Sequence, residues 1–249
     1  MKYYIDSNAW EQILTFLRQI KAIHTRDERS LRRFVEAIWF IVRSGSQWRL
    51  LPECYGYWRA VHRRFKRWVD LGIWEQLMEY VTDKDLELSI IDATIVRAHA
   101  CSAGYGKDTQ EHQALGRSKG GFTTKIHALV DALGNPLKFI LTPGQRHDIT
   151  QGDALVKGLQ NTIVIADKGY DSNAFIQRIE EQESIVVIPP KKNRKTQREY
   201  DKHLYKERHL VECFFGKIKH FRRIFSRFDK TAKVFLGFLN FVGALVWLR

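Results

Sequence analysis

Two acidic residues stand in segments that otherwise read as buried strands. Asp92 interrupts the β-branched run SIIDATIV, and Asp167 closes the run TIVIAD. A carboxylate within or at the end of an apolar strand is costly to bury unless something pairs with it. Two such strands in one sheet would bring two acids together, and a hard divalent cation is the usual partner. Mg²⁺ takes oxygen ligands, commonly one or two carboxylates plus substrate phosphate. A third acid lies in YKERHLVECFFGKIKHF. There Arg208, Glu212 and Lys219 follow Tyr205 at offsets of 3, 7 and 14 residues. At roughly 100° per residue these lie within about 60° of one another on a helix. One stripe then carries a phenol, a guanidinium, a carboxylate and an ammonium. Leu210, Phe214 and Phe221 fall on other faces and can pack the helix on a sheet. Glu212 would complete a metal cluster, and Arg208 and Lys219 would reach phosphates beside it. Two metal ions roughly 3.5–4 Å apart activate an attacking oxygen and stabilise the leaving one in an in-line displacement at phosphorus. The residues by themselves point to metal-dependent phosphoryl transfer.

Charge distribution indicates the substrate class. Residues 1–75 hold 14 Lys and Arg against 8 Asp and Glu, 76–190 hold 11 against 15, and 191–233 hold 15 against 5. Basic flanks are the electrostatic footprint of a polyanion partner such as DNA. The slightly acidic middle would oppose DNA unless its carboxylates hold cations. Without the motifs, the same numbers also describe a soluble basic protein with solvated charge. Cys54, Cys101 and Cys213 stand far apart with no CxxC pair, which argues against a zinc site and suits a reducing cytoplasm. The opening MKYYIDSNAW has no apolar stretch of the kind a secretory signal carries. The stretch VFLGFLNFVGALVWL is short for a membrane span and predicts a buried helix, with no membrane partner.

The elements that must position these residues divide the chain in two, 1–82 and 83–249. The first part reads as helices. Leu31, Phe34, Val35, Ile38, Ile41 and Val42 recur at helical spacing, with Thr25 and Glu28 as a capping box before them. Trp58, Val61, Phe65 and Trp68 repeat the pattern, leaving Arg59, Arg63, Arg64 and Arg67 on other faces. GSQWRLLPECYG connects the two helices. This region is either a helix-turn-helix-like DNA reader or a helical cap on the catalytic part.

From residue 86 the pattern changes to β, β, β, α, β, α, β, α, a mixed sheet with flanking helices. The strands are LELSIIDATIV, two about a turn at Gly134-Asn135-Pro136, NTIVIAD and SIVVIPP. The helices are DITQGDALVKGL with Asp148 and Gln151 as a capping box, SNAFIQRIEEQ capped by Ser172, and one long helix from Lys202 to Phe221. Residues 101–122 read as a mobile loop. Within it, Gly104-Tyr105-Gly106-Lys107 lacks the spacing of a phosphate-binding loop.

Other polar residues carry rival readings. Asp131 precedes a turn, where Asp is common. Asp171 is read as a turn or capping residue. His147 and Asp148 stand near the end of the third strand and could approach the site, although Asp148 reads first as an N-cap. His127 alternates with Lys125 along a strand, and either faces the site or is a satisfied sheet residue. PPKKNRKTQR, with Lys191 and Lys192, is a solvated basic loop or a DNA contact beside the third acid.

The sequence also resembles the transposases of bacterial insertion sequences in the insertion-sequence-four/five superfamily, on its five-like branch. Their signature of Tyr, two residues, Arg, three residues, Glu, six residues, Lys is matched without a gap by Tyr205, Arg208, Glu212 and Lys219. IIDATIV and VIADKGYDSN resemble the family's two aspartate regions. GRSKGGFTTKIHALVDALGNPL, TPGQRHD and SGSQWRLLP resemble further stretches, so the likeness covers most of the chain. The resemblance implies an RNase H-like α/β fold behind a small all-helical N-terminal domain, with Asp92, Asp167 and Glu212 as a DDE triad. It further implies two Mg²⁺ ions for which Mn²⁺ can substitute, DNA as partner in the form of terminal inverted repeats and target, a dimer or larger assembly on DNA, and a bacterial, nucleoid-associated setting. About 25 residues separate SIVVIPP from Glu212, too few for the large inserted β domain of some relatives. A nuclease that cuts without joining, or a DNA-binding derivative without catalysis, are the competing functions. The three intact acids argue against the last.

Overall fold

Four helices form from the first part of the chain, each placing a repeat of apolar residues on one face. The computed structural model describes residues 4–83, 86–103, 113–118 and 120–249. Helix α1 spans Ser7–Gln19 and is capped by Asp6, whose carboxylate accepts from Ala9 N at 2.9 Å. Helix α2 spans Glu28–Ser44 and buries the six apolar residues that its spacing marks. Its cap is Asp27, which accepts from Ser30 N, and not the expected Thr25 and Glu28 box. A short aspartate next to the first turn reaches its backbone N–H directly. Helices α3 (Trp58–Asp70) and α4 (Ile73–Val81) follow.

The second part builds a sheet around one strand. Strand β1 (Leu88–Ala98) pairs antiparallel with β3 (Gly121–Val130), which pairs antiparallel with β4 (Pro136–Pro143). On its other side β1 pairs parallel with β5 (Ile163–Ala166), which pairs parallel with β6 (Ile185–Val187). Helices α5 (Gly152–Val156) and α6 (Asn173–Glu180) make the crossovers. The order β4-β3-β1-β5-β6, an antiparallel meander continued by two parallel crossovers, is the RNase H-like arrangement that the resemblance implies. Two short strands were not legible in the sequence. Strand β2 (Gly116–Ser118) pairs with the start of β3, inside what reads as a loop, and β7 (Ser226–Arg227) lies beside the end of β1. The segment Gly104-Tyr105-Gly106-Lys107 lies outside the described residues.

The sheet separates two cores. On one face Ile90, Val96, Ile126, Ala128, Val130 and Ile165 pack with α7 (His209–Lys219), the N-terminal helices and α9 (Ala232–Trp247). Helix α9 is the buried apolar helix expected of its sequence; Phe235, Phe238 and Phe241 are inaccessible to solvent. Each contributes roughly 1.5–3 kcal/mol by burial. On the opposite face Ile91, Leu129, Val164 and Ala166 pack against α5 and α6. Among the described residues no helix is long and apolar enough to cross a membrane.

Candidate active site

Register places the first two acids together. Parallel pairing aligns Ile90 with Ile165 and Ile91 with Ala166. The next residue on each strand is Asp92 and Asp167 respectively, so the two carboxylates leave neighbouring strands at one level. Side chains alternate along a strand. Asp92 therefore shares the face of Ile90 and Ala128, which is the face that α7 covers. Asp167 also starts a short 3-10 turn, Lys168–Tyr170, and accepts from Gly169 N at 2.8 Å. A Cβ at Gly169 would lie 2.8 Å from the same carboxylate oxygen, so the position suits glycine.

Arg208 and Lys219 reach the same strand, β1, although the helix expected to carry Tyr205, Arg208, Glu212 and Lys219 is broken. Leu204–Arg208 is a 3-10 turn and the α-helix begins only at His209, instead of one helix from Lys202 to Phe221. Asp201 accepts from His203 N and Leu204 N and so fixes the tighter start. Arg208 donates to Asp92 Oδ2 at 2.8 Å and also to Glu212. Its guanidinium lies 6.0 Å from the Tyr205 ring centroid. Lys219 donates to Thr94 Oγ1 at 2.7 Å, two residues along β1 from Asp92. The stripe thus meets the strand, but Glu212 is more than half exposed and turned onto Arg208. Among the described residues, no three of His, Cys, Asp and Glu form a preformed metal-ligating group.

Electrostatics mark Asp92 as the strained member. Burial pushes its carboxyl up to about 6, and Asp167 and Asp148 add to that, while the N–H of Ala93 and Arg208 pull it down. Burial works against the charge of Arg208, yet Asp92 and Glu212 hold it above its ordinary value. Burial lowers Lys219. All the acids here offer hard oxygen donors, and buried like-charged carboxylates are what a divalent cation relieves. Asp92 and Asp167 suit such an ion in kind, and Asp92 is shared with Arg208 in this arrangement. Glu212 fits only once its oxygen leaves Arg208.

The accessory candidates fall on the opposite face of the sheet. His127 and Lys125 stand opposite Ala93 and Ile95 of β1, hence away from Asp92. His127 Nε2 pairs with Thr142 Oγ1 at 2.8 Å, and burial lowers its imidazole to about 4, so it is neutral at pH 7. Asp148 caps nothing. It forms an ion pair with Lys125 at 2.6 Å, and Asp148–Gln151 is a 3-10 turn. His147 is exposed before that turn. Asp131 is the turn residue expected, accepting from Leu133 N and Asn135 N.

Of the four arginines on α3, Arg59, Arg63 and Arg67 are exposed. Arg64 is packed, with its guanidinium carbon 4.3 Å from the Phe34 ring centroid and 5.1 Å from that of Trp68. Burial and the neighbouring Arg67 lower it to about 10. Arg63, Arg64 and Arg67 border a cavity of about 340 Å³ whose wall includes Trp68 and His24. Lys191 and Lys192 are exposed on the segment after β6.

The chain matches two family models, which together take in most of its residues. Residues 83–247 match the transposase DDE domain, and residues 5–78 match a model of transposases of the IS4/5 family. A Brucella ovis protein named for the transposase of insertion sequence element IS6501 is 44% identical over 132 residues, which is 51% of this chain and 99% of that protein. A Burkholderia cepacia protein named for the transposase of IS402 is 32% identical over 135 residues, covering 49% of this chain and 62% of that one. Among solved structures, a piggyBac transposase synaptic complex with hairpin DNA is similar with a TM-score of 0.41 at 11% identity. It covers 78% of this chain and 50% of that one.

Proposed function

Since the chain belongs to the DDE transposases of insertion sequences, enzymes that act on DNA with divalent metal, we propose that it nicks the ends of its element and joins the exposed 3′-hydroxyl to target DNA. In the first step water attacks a phosphodiester and a 3′-oxygen leaves. In the second that 3′-hydroxyl attacks a target phosphodiester, again displacing a 3′-oxygen. The observation that carries the assignment is the placement of Asp92 and Asp167 at one level of two parallel strands, with Arg208 linking Asp92 to Glu212. Asp92, Asp167 and Glu212 are the residues that would hold Mg²⁺, as two ions, with Mn²⁺ able to replace it. The metal supplies activation of the attacking oxygen and charge stabilisation of the leaving one. Arg208, Lys219 and Tyr205 hold the flanking phosphates. A phosphate arriving there would give Arg208 a partner other than Glu212 and would free that carboxylate to serve as a metal ligand. His127 and His147 have no part in the chemistry on this reading.

Residues 1–82 act as the unit that grips the element ends and 83–249 as the catalytic unit, in a cytoplasmic, nucleoid-associated dimer that holds both ends. Lys191 and Lys192 contact the DNA beside the site. The test is a plasmid carrying the gene with its native flanks, incubated with the protein and Mg²⁺. Nicks with 3′-hydroxyl termini at short inverted repeats, followed by joined products, are expected. Cutting without joining would make it a nuclease, and binding without cutting in either metal would make it an inactive derivative.

The α3 arginines give a separate prediction. Arg59, Arg63 and Arg67 should be replaced together by alanine, sparing Arg64, whose loss would open the packing around Phe34 and Trp68. Phosphate contacts make log affinity fall linearly with log salt, with a slope of roughly −0.9 per contact. Losing three contacts should flatten a gel-shift salt titration by about 2–3 slope units. An unchanged slope would leave α3 as a cap only.

A further inference from the structure

The carboxylate of Asp171 is almost wholly enclosed, with 1% of its side chain exposed, and it is ringed by donors from one basic segment. Lys191 N donates to it at 2.8 Å, Arg194 Nε donates at 2.8 and 3.0 Å, and Arg198 donates to its other oxygen. Arg194 also donates to Asn173 Oδ1 at 2.6 Å. Gln197 closes the segment on itself by donating to Lys191 O and Arg194 O. These contacts hold Asp171 below its ordinary range even against burial. They make it an ionised anchor, in addition to the turn and capping position expected of it, which its backbone holds.

Two chain paths leave this anchor and both lead to the active site. Asp171 ends the 3-10 turn that Asp167 begins, its N–H bonded to Lys168 O at 3.2 Å, with inaccessible Tyr170 between them. From Arg198 the chain passes to Tyr200, whose ring meets Tyr205 edge-on at 5.5 Å, and Tyr205 lies beside Arg208. The segment keeps Lys191, Lys192 and Lys195 exposed while Arg194 and Arg198 are spent on Asp171.

We propose that Asp171 is a positioning residue: its buried carboxylate clamps the basic strap 190–198 to the turn that starts at Asp167, so that DNA held by the strap lysines is registered on the carboxylate centre. The inference rests on the transposase reading above. It separates affinity from positioning, because the two make opposite demands. Removing the anchor releases two guanidiniums and raises the local positive charge, which favours DNA binding. It also lets the strap and the Tyr205–Arg208 turn drift, and a misplacement of about 1 Å can cost roughly 100-fold in rate.

The experiment compares wild-type protein with Asp171→Asn and with the milder Arg198→Gln, using the flanked plasmid. For Asp171→Asn, the cleavage rate at saturating DNA is expected to fall about 10- to 100-fold, with KM for DNA unchanged or lower. Arg198→Gln should move the same way by less. Trypsin should cut after Lys191, Lys192 and Lys195 several-fold faster in both variants, and the salt slope of binding should be no shallower. A rise in KM with an unchanged limiting rate, or a rate loss matched by loss of folded protein in a thermal melt, overturns the proposal. So does a strap that opens to trypsin without any change in rate. If wild-type protein binds the plasmid but does not cut it, the transposase reading fails instead, and the trypsin comparison still decides whether the clamp exists.

Discussion

Alanine in place of Asp167 or Glu212 is expected to lower metal-dependent cleavage at least about 10³-fold, a loss of roughly 4 kcal/mol in transition-state stabilisation. DNA binding should persist, since neither side chain donates to phosphate. Arg208→Ala and Lys219→Ala should be milder, because each removes a charged contact worth about 1.5–3 kcal/mol and leaves the carboxylates in place. Arg208 has a second effect. Its guanidinium neutralises Asp92 and holds Glu212, so Arg208→Ala should bind Mn²⁺ more tightly in the absence of DNA, read by calorimetry. Single-turnover cleavage of the flanked plasmid measures the rates. A Glu212→Ala protein that cuts like wild type would reduce the Arg208–Glu212 contact to an ordinary helix pair at i,i+4, worth a few tenths of a kcal/mol.

Strand and helix periodicity made most of this architecture legible. The apolar stripe of α2, the strands flanking Asp92 and Asp167 and the buried character of α9 all follow from spacing that the folded chain keeps. Two polar side chains show what local spacing cannot give, a partner distant in sequence. Asp148 has the form of an N-cap but pairs with Lys125, 23 residues away. Asp171 holds the turn position expected of it, yet its side chain also binds a strap about 20 residues on. Local rules cannot see such pairs. The face of His127 was recoverable in principle, since antiparallel register puts it opposite Ala93 instead of Asp92. That register, however, depends on which residues of the hairpin turn, and the start of β3 was hidden in a polar segment.

Charge counting overstated the basic C-terminal flank for a related reason. Of its cations, Arg194 and Arg198 serve Asp171, Arg208 serves Asp92 and Glu212, and Arg223 pairs with Asp229 inside the fold. Arg227 is inaccessible and donates to Asp229 O and Thr124 Oγ1. These are structural arginines with planar forks suited to several acceptors at once. What remains exposed beside the site is mostly lysine, which tracks phosphates as a mobile point charge. Of the six arginines in the 191–233 flank, all but Arg222 are partly or fully buried.

Asp92→Asn is expected to abolish cleavage and yet to make the metal-free protein more stable at neutral pH. Burial pushes the carboxyl up to about 6 in the fold from an ordinary 3.8, so the folded chain binds its proton more tightly than the unfolded chain does. For an acid whose pKa is raised by folding, native stability is unaffected by this group below about pH 4. It falls as pH rises from there to about 6, and the full penalty persists above. The rise from 3.8 to about 6 corresponds to roughly 3 kcal/mol. The side chain is only 16% exposed, so solvent screens little of it. Asparagine keeps an oxygen to accept from Ala93 N, and the raised pKa already includes the pull of Arg208, so a net gain of up to about 3 kcal/mol is the expectation. For a chain of this size that is several degrees in Tm. Melts in chelator at pH 7.5 should show the variant above wild type, and the gap should narrow as pH falls through 6 and close only below about pH 4, where the carboxyl is protonated in the unfolded chain as well. Adding Mg²⁺ should then raise the wild-type Tm and leave the variant unmoved, because only the former gains a ligand that binds the native state. A variant that melts below wild type at pH 7.5 would mean that Arg208 more than offsets the burial of the charge. Asp92 would then be a satisfied half of an ion pair, held for packing instead of for metal.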